Sequence, residues 1–513
     1  MEIILGNDFF NNKHVELLEN TFTWLKKYAR EAAINGEAAH KVEKQIFDIV
    51  LKLGQQAMGQ FFAIQGNGDV GKKMLLANGK EVQRSQEKHS RIYRSIFGNY
   101  KLERYVYWER ENQVIACAPL DARLQLPENE YSYLLQEWCQ ILAIETPFDK
   151  VKNFLQRMLA INVTVDSIEN VNRAQAESVE GFREARLLPP TETEGELLVH
   201  TADGKGVPIR HEKDVAKIYE HRKKRGPKPD RKRMATVGAV YTVDRYERTP
   251  EQIVEALFAE PQLQTSVEKK LKTKRPKPRN KQVIANMTRP IEGTEIKGTE
   301  LTFAWMKKQV AARDPTNKKE HVVLMDGQLS LWEQQKKHFP KKTCIEILDL
   351  LHATSYLWDA AALFHPNAKV QQEDFMKSHV LKVLHGNIKK VIKKFRKMAS
   401  KEGFKKSKHE QLEKICGYFH RNRHRMKYHN YLAAGYPIAS GVIEGACRHF
   451  VKDRMERAGM RWTIKGAQAM LDTRSVFLNE DWDEFTKYRI ERETERLYPE
   501  QFILGKIKWA LAA

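Results

Sequence analysis

Apolar positions recur at three- and four-residue spacing through the first part of the chain. Leu18, Phe22 and Leu25 form one such stripe, and Val42, Ile46, Ile49 and Leu53 form the next, so helices are predicted there. Tyr105, Tyr107 and Trp108 stand close together, and Lys101 to Leu120 is predicted as a short β hairpin ending in a turn at Pro119. Helical spacing returns from Tyr131 to Arg186. Thr146-Pro147-Phe148-Asp149 offers a capping hydroxyl, a proline for the first helical position and an acid in the first turn. Asp166-Ser167-Ile168-Glu169 opens another helix, which carries Asn170, Asn172, Arg173 and Gln175. Three short helices whose last one exposes amides and an arginine suit a helix-turn-helix that reads bases, and suit a plain helical bundle equally.

Pro189 to Glu194 reads as a linker. Beyond it the pattern changes to short β-branched runs: Glu196 to Ala202, Met234 to Val243, His321 to Met325 and Thr343 to Leu348, with a further strand expected over Gly206 to Arg210. Continuous apolar runs of this length are typical of strands buried on both faces. Thr249-Pro250-Glu251-Gln252 is a capping box, and after His352 the chain is helical for nearly ninety residues.

Charge narrows the choice of partner. Of 513 residues, 88 are Lys or Arg and 66 are Asp or Glu, a formal net charge of +22. Such an excess suits a polyanion, nucleic acid first and an acidic membrane surface second. The start of the chain lacks the basic residues of a signal peptide. The longest uncharged stretch, Tyr431 to Ile443, falls short of the roughly 20 residues that cross a bilayer. No membrane association is expected. Five scattered cysteines without a CxxC pair fit neither a disulfide framework nor a standard zinc finger, and the chain reads as intracellular. Two basic tracts, His221 to Arg233 and Lys269 to Lys281, contain Lys-Pro or Arg-Pro steps that exclude helix. They read as solvated loops or as phosphate contacts, the first through Arg222, Lys223, Lys224, Arg225, Lys228, Arg231, Lys232 and Arg233.

Acids at strand ends supply the chemistry. Asp203 closes the first apolar run and is followed by Gly-Lys-Gly, while Asp326 closes HVVLM and is followed by Gly327. Carboxylates beside glycine on neighbouring strands form a pocket for a hard divalent cation such as Mg²⁺. Asp-Gly is also a common turn dipeptide, so either one alone says little.

Several motifs together resemble the ISKra-type transposases of bacterial insertion sequences. They are His200-Thr-Ala-Asp-Gly-Lys-Gly-Val-Pro, Arg225-Gly-Pro-Lys with Met234 to Asp244 and Arg248-Thr-Pro, Leu324-Met-Asp-Gly-Gln, and Leu348-Asp-Leu-Leu-His352. Gly441-Val-Ile-Glu-Gly-Ala-Cys-Arg-His and Arg454-Met-Glu-Arg-Ala-Gly-Met-Arg-Trp462 complete the set. The resemblance runs from about Tyr105 to Trp482 and includes Ala118-Pro-Leu-Asp121. It implies the DDE group, related to Mutator-like transposases, with Asp203, Asp326 and Glu444 as catalytic, metal-binding acids. Asp349 and His352 match an Asp-x-x-His pattern of such relatives. Relatives often carry paired Cys-x-x-Cys-like elements before Pro-Leu-Asp; here that region has only Cys117, which excludes a four-thiolate zinc site there.

The implied fold class is α/β, a ribonuclease-H-like mixed sheet with a helical insertion before the catalytic glutamate, preceded by mostly helical N-terminal DNA-binding domains. The expected segments are a helical domain at 1–100, the hairpin at 101–130 and the helix-turn-helix-like domain at 131–190. The catalytic domain covers 195–355 and 436–482 around an insertion at 356–435, and a helical tail covers 483–513. Asp349, His352, Arg448, Arg454, Arg461 and Trp462 are expected to support the acids or to contact DNA. Bland alternatives stand beside these roles: a surface ion pair for Glu444 and Arg448, a packed core histidine for His352, a covered helix surface for Arg454, Arg461 and Trp462, and a small buried residue for Cys447. The expected activity is cleavage of element ends and strand transfer, with Mg²⁺, or Mn²⁺ in its place, and double-stranded DNA as partner. A homo-oligomer assembled on DNA and a cytoplasmic, nucleoid-associated location follow from the same expectation. A hydrolytic nuclease on the same fold and a non-catalytic DNA-binding descendant are the rivals.

Overall fold

A computed structural model describes residues 2–5, 10–110, 114–210, 232–259, 275–339, 344–457 and 459–499. It divides into two compact units, Met1–Phe182 with Asp481–Ala513, and Arg183–Glu480. No helix among the described residues is long and apolar enough to cross a membrane.

The first unit opens with strand β1 (Glu2–Leu5) and helices α1 (Phe10–Ile34) and α2 (Ala39–Ile64). Strands then begin earlier than the sequence pattern indicates. β2 (Lys73–Leu75), β3 (Glu81–Arg84) and β6 (Tyr107–Trp108) form one antiparallel sheet, and the hairpin β4 (His89–Ser95)–β5 (Gly98–Arg104) pairs with β1 in another. The expected hairpin at 101–120 is thus only the end of a larger β region, and Pro119 starts helix α3 (Pro119–Arg123) instead of a turn. Backbone bonds join Tyr107 to the segment around Cys117. Tyr107 N donates to Cys117 O at 2.7 Å, and Ala116 N to Tyr107 O at 2.8 Å. Asp121 is buried against two guanidinium groups, Arg104 at 2.7 and 2.9 Å and Arg91 at 2.7 Å.

Helices α4 (Tyr133–Glu145), α5 (Phe148–Leu159), α6 (Val165–Glu177) and α7 (Val179–Ala185) follow. Thr146 does not cap α5; its hydroxyl donates back to Leu142 O at 2.8 Å, closing α4. The cap of α6 is Thr164, which accepts from Ser167 N, so the helix begins before Asp166. Within α6 the two amide pairs separate. Asn172 and Gln175 are buried, and Asn172 Nδ2 donates to Gln140 Oε1 of α4 at 3.0 Å. That burial takes both out of reach of a duplex and corrects the expectation that they read bases. Asn170 is exposed and Arg173 half-buried, bonded to each other at 3.1 Å, while Arg173 also pairs with Glu169. Of the expected tail, the helix Trp482–Leu497 belongs to this unit, stacking Phe485 edge-on against Phe182 at 5.5 Å between ring centres.

The second unit is built on a five-stranded mixed sheet ordered β13-β12-β7-β8-β9. β7 (Leu197–Pro208) and β8 (Lys232–Val243) form a twelve-residue antiparallel ladder, so the expected separate strand at 206–210 is largely the end of β7. After helix α8 (Pro250–Phe258), β9 (Arg279–Met287) pairs antiparallel with β8. Beyond the short hairpin β10 (Arg289–Ile291)–β11 (Thr294–Ile296), β12 (Glu320–Met325) and β13 (Cys344–Leu348) add parallel to β7. β9 overlaps the second basic tract, read above as a loop. Its first residues lie at the sheet edge, where exposed charge blunts further pairing, and only its second half is buried.

Helices cover both faces of this sheet. Phe303 and Met306 of α9 (Gly298–Arg313) and Leu331 and Trp332 of α10 (Leu329–His338) pack with Leu198, Val323 and Met325 on one face. Gly238 of β8 lets α9 approach, since a Cβ there would lie 2.4 Å from Thr302 Cγ2. On the other face Leu197, Val199, Val322 and Leu324 share one core with α11 (Leu350–Phe364), α12 (Lys369–Leu384), α13 (Ile388–Lys401), α14 (Lys406–Asn422) and α15 (Tyr428–Ala433). The helical stretch after His352 therefore forms a layer of the sheet's own core.

Replacing Asn172 with Ala takes from the buried Gln140 Oε1 its donor inside unit 1. Urea unfolding should register a loss of about 1–3 kcal/mol, and an unchanged midpoint would return Asn172 to the surface.

Candidate functional site

The register of three parallel strands brings the acids to one level. β12 and β7 pair as Val323 with His200, and three residues further along come Asp326 and Asp203. Thr201 Oγ1, donating to Leu324 O at 2.5 Å, keeps the two strands together past the last ladder pair. β12 and β13 pair as Met325 with Leu348, and the next residues are Asp326 and Asp349. Neighbouring strands lie about 4.8 Å apart, so Asp203, Asp326 and Asp349 form a row across the sheet. Asp203 does not close its strand, as the sequence pattern suggests. It sits inside β7, where the parallel ladder has ended and the antiparallel one continues.

The row has two kinds of member. Asp349 is fully buried and caps α11. Its Oδ1 accepts from Leu351 N at 2.9 Å and Ser440 N at 3.3 Å, and its Oδ2 accepts from the Ser440 hydroxyl. Ser440 immediately precedes α16 (Gly441–Ala446), the helix of Glu444, and Glu444 N donates to Ser440 O at 3.0 Å. Asp349 thus fixes the start of the helix that carries Glu444 and has no surface for DNA. Asp203 and Asp326 are only half-buried. Asp203 Oδ2 accepts from the Cys447 thiol at 3.3 Å, and Asp326 Oδ1 from Gln328 N at 2.9 Å.

Burial, the charge of Asp203 and, less strongly, that of Asp349 push the Asp326 carboxyl above its ordinary range, against the Gln328 amide and His352. Burial, Asp349 and Asp203 raise Glu444 as well, and His352 again opposes. Among the described residues none of Asp203, Asp326 and Glu444 has a Lys or Arg partner. The expected alternative pair of Glu444 with Arg448 is not formed. From Cys447 to Lys452 the chain winds as a π turn, with i→i+5 bonding, and Arg448 is exposed. Three crowded, partly desolvated carboxylates without a cation suit a hard divalent ion in charge and donor type. No three His, Cys, Asp or Glu side chains among the described residues converge closely enough to chelate one as they stand.

Two further expected residues move into the core. Arg454 is fully buried with its guanidinium 4.9 Å over the ring of Trp462, itself buried. Trp462 donates its indole N–H to Met455 O at 3.1 Å and bridges to Ile209 at the end of β7. Burial excludes DNA contact for both; they tie the chain beyond the π turn to the β7–β8 hairpin. Arg461 is exposed and His352 half-buried. Lys232 and Arg233 are exposed at the start of β8, with Lys232 paired to Glu456 at 3.1 Å. Arg222, Lys223, Lys224, Arg225, Lys228 and Arg231 lie outside the described residues.

The sequence pattern missed Tyr418 of α14. A Cβ on Gly327 would meet its ring at 2.2 Å, so glycine after Asp326 makes room for it. Tyr418 stacks on Tyr356 with ring centres 3.8 Å apart, and its hydroxyl is raised by burial and by the nearby Tyr356, Asp326 and Asp349. Ser440 was also missed; its place just before Gly441 is the only local sign.

Compared with known protein families and with curated proteins, the chain matches none of them.

The raised carboxyls fix a sign. The folded state holds these protons more tightly than the unfolded chain, so their contribution to stability falls as pH rises through the ordinary carboxylate range. Asp326→Asn should therefore raise the melting temperature at pH 7 in chelator. A lowered melting temperature in chelator would show instead that the charged carboxylate holds the fold.

Proposed function

We propose that this chain is a DDE transposase of an insertion sequence, with a ribonuclease-H-like catalytic domain. The observation that carries the reading is the row of Asp203 and Asp326 on adjacent strands, joined by Glu444 from α16 and left without a Lys or Arg partner among the described residues. Structural carboxylates elsewhere in the chain are neutralised: Asp121 by two arginines, Glu194 and Glu346 by one each. Desolvated carboxylates that stay uncompensated point to a site held in readiness for a bound ion and phosphate.

Asp203, Asp326 and Glu444 would hold two Mg²⁺ ions, which when bound supply charge neutralisation for phosphoryl transfer and an activated oxygen. The chain's own residues position that chemistry. The β7–β12 register sets the spacing of the aspartates, and the Asp349–Ser440 bonds set the height of Glu444. Cys447 orients the Asp203 carboxylate, and Trp332 Nε1 holds the Asp326 carbonyl at 2.5 Å. Gly445 beside Glu444 faces open space, where a backbone phosphate could approach closely. Double-stranded DNA is the proposed substrate, and Mn²⁺ the proposed stand-in for Mg²⁺. Assembly into an oligomer on element ends and residence at the nucleoid belong to the same reading.

Purified Asp203→Asn and Asp326→Asn should each lose Mg²⁺-dependent cleavage by at least about 1000-fold, a loss of roughly 4 kcal/mol of transition-state stabilisation, with DNA binding kept. Retained cleavage in either variant would sink the assignment. A pre-cleaved element end supplied with target DNA separates the transposase from a hydrolytic nuclease, because only the former joins the 3′-hydroxyl to the target.

A further inference from the structure

Helix α13 presents two faces of opposite character. Ile388, Val391, Ile392, Phe395 and Ala399 are buried in the core that covers the sheet. Lys389, Lys390, Lys393, Lys394, Arg396 and Lys397 are exposed, and the helix contains no acid. Of these six, only Arg396 has an acidic partner among the described residues, Glu413 of α14 at 2.8 and 2.9 Å. Lys394 also lies beside Lys382 of α12, and burial together with that neighbouring ammonium lowers its pKa.

A solvated helix face ordinarily mixes both signs of charge. Five lysines of one sign, left unpaired on a well-packed helix, repel each other unless a polyanion lies over them. Because the apolar face is already covered, the helix has nothing to insert into a bilayer, and the amphipathic membrane mode is closed to it. A fourteen-residue helix is about 21 Å long, a length over which duplex DNA displays roughly twelve phosphates. One helix separates this face from the carboxylates. α14 touches Arg396 through Glu413, and five residues later touches Gly327 through Tyr418.

We infer that the lysine face of α13 is a phosphate-binding surface for duplex DNA, seating the stretch that runs on from the strand engaged at Asp203, Asp326 and Glu444. The inference rests on the proposed function for its choice of polyanion. Lysines act here as point charges, so the surface positions DNA without reading its sequence.

The test compares the full chain with the variant Lys389→Gln, Lys390→Gln, Lys393→Gln, Lys394→Gln, Lys397→Gln on a duplex of arbitrary sequence across a salt series. The slope of log K against log salt should shrink by about 3–5, with the melting temperature held or raised. Cleavage of a substrate long enough to reach α13 should fall at least tenfold, and cleavage of one truncated near the cut should not. Should the fivefold variant melt earlier, Lys389→Gln with Lys393→Gln takes its place, with a slope change of about 2 expected. An unchanged slope in a protein that still binds and cuts DNA overturns this inference and leaves the transposase reading intact. A parent chain that binds no duplex at low salt overturns both. Loss of binding to phosphatidylserine vesicles or to polyglutamate, with duplex binding unaltered, would also overturn it.

Discussion

The second unit depends on the register between β7, β12 and β13. Parallel pairing of Val323 with His200 and of Met325 with Leu348 is fixed by burial on both faces. A slip of one residue in β12 would send Val322 and Leu324 to the face of α9 and Val323 and Met325 to the face of α11. The same register lines up three aspartates. Apolar packing therefore holds like charges together, and the cost appears in the raised carboxyls of Asp326 and Glu444. Among the described residues no Lys or Arg pairs with Asp203, Asp326 or Glu444 to relieve that cost.

The three aspartates have diverged in burial, and burial assigns their roles. Asp349 is satisfied by two backbone amides and a hydroxyl, so its charge is spent inside the protein, on the start of α16. Asp203 and Asp326 each accept few bonds and keep a surface. Carboxylates at the same level of one sheet thus split into one that fixes geometry and two that can take a ligand.

Legibility in the sequence followed the range of the interaction. The buried strands, the capping box at Thr249 and both aspartates followed by glycine were readable because each is encoded within a few residues. Helix α6 was readable as a helix, but which face it buries was not. That choice is made by Gln140, 32 positions away in sequence. Arg454 and Trp462 looked like surface groups for DNA because each type often is one, and only the bridge to Ile209 brings them inside. β4 and β5 escaped notice because neither has an apolar run: β4 buries only Ser95, and in β5 the buried Tyr100 and Leu102 are separated by Lys101. The closing of Asp349 on Ser440 and of Gly327 on Tyr418 each spans 91 residues, the first across the whole helical layer and the second into its fourth helix.

That span bears on what the helical layer is for. A domain inserted between Asp349 and Glu444 could in principle hang from the sheet on two linkers, its own core separate. Here Phe364, Phe375, Phe395 and Phe419 belong to the same core as Val199, Val322 and Leu324. The layer also delivers Tyr418 to the turn after Asp326 and, at its end, Ser440 to Asp349. Removing it would uncover one face of the sheet and free the helix of Glu444 together. The apolar side of α13 is thus committed to the fold, and its lysine face is left exposed. The geometry of the acids and the presentation of α13 therefore rest on one packing arrangement, so a change in that core reaches the site without touching a carboxylate.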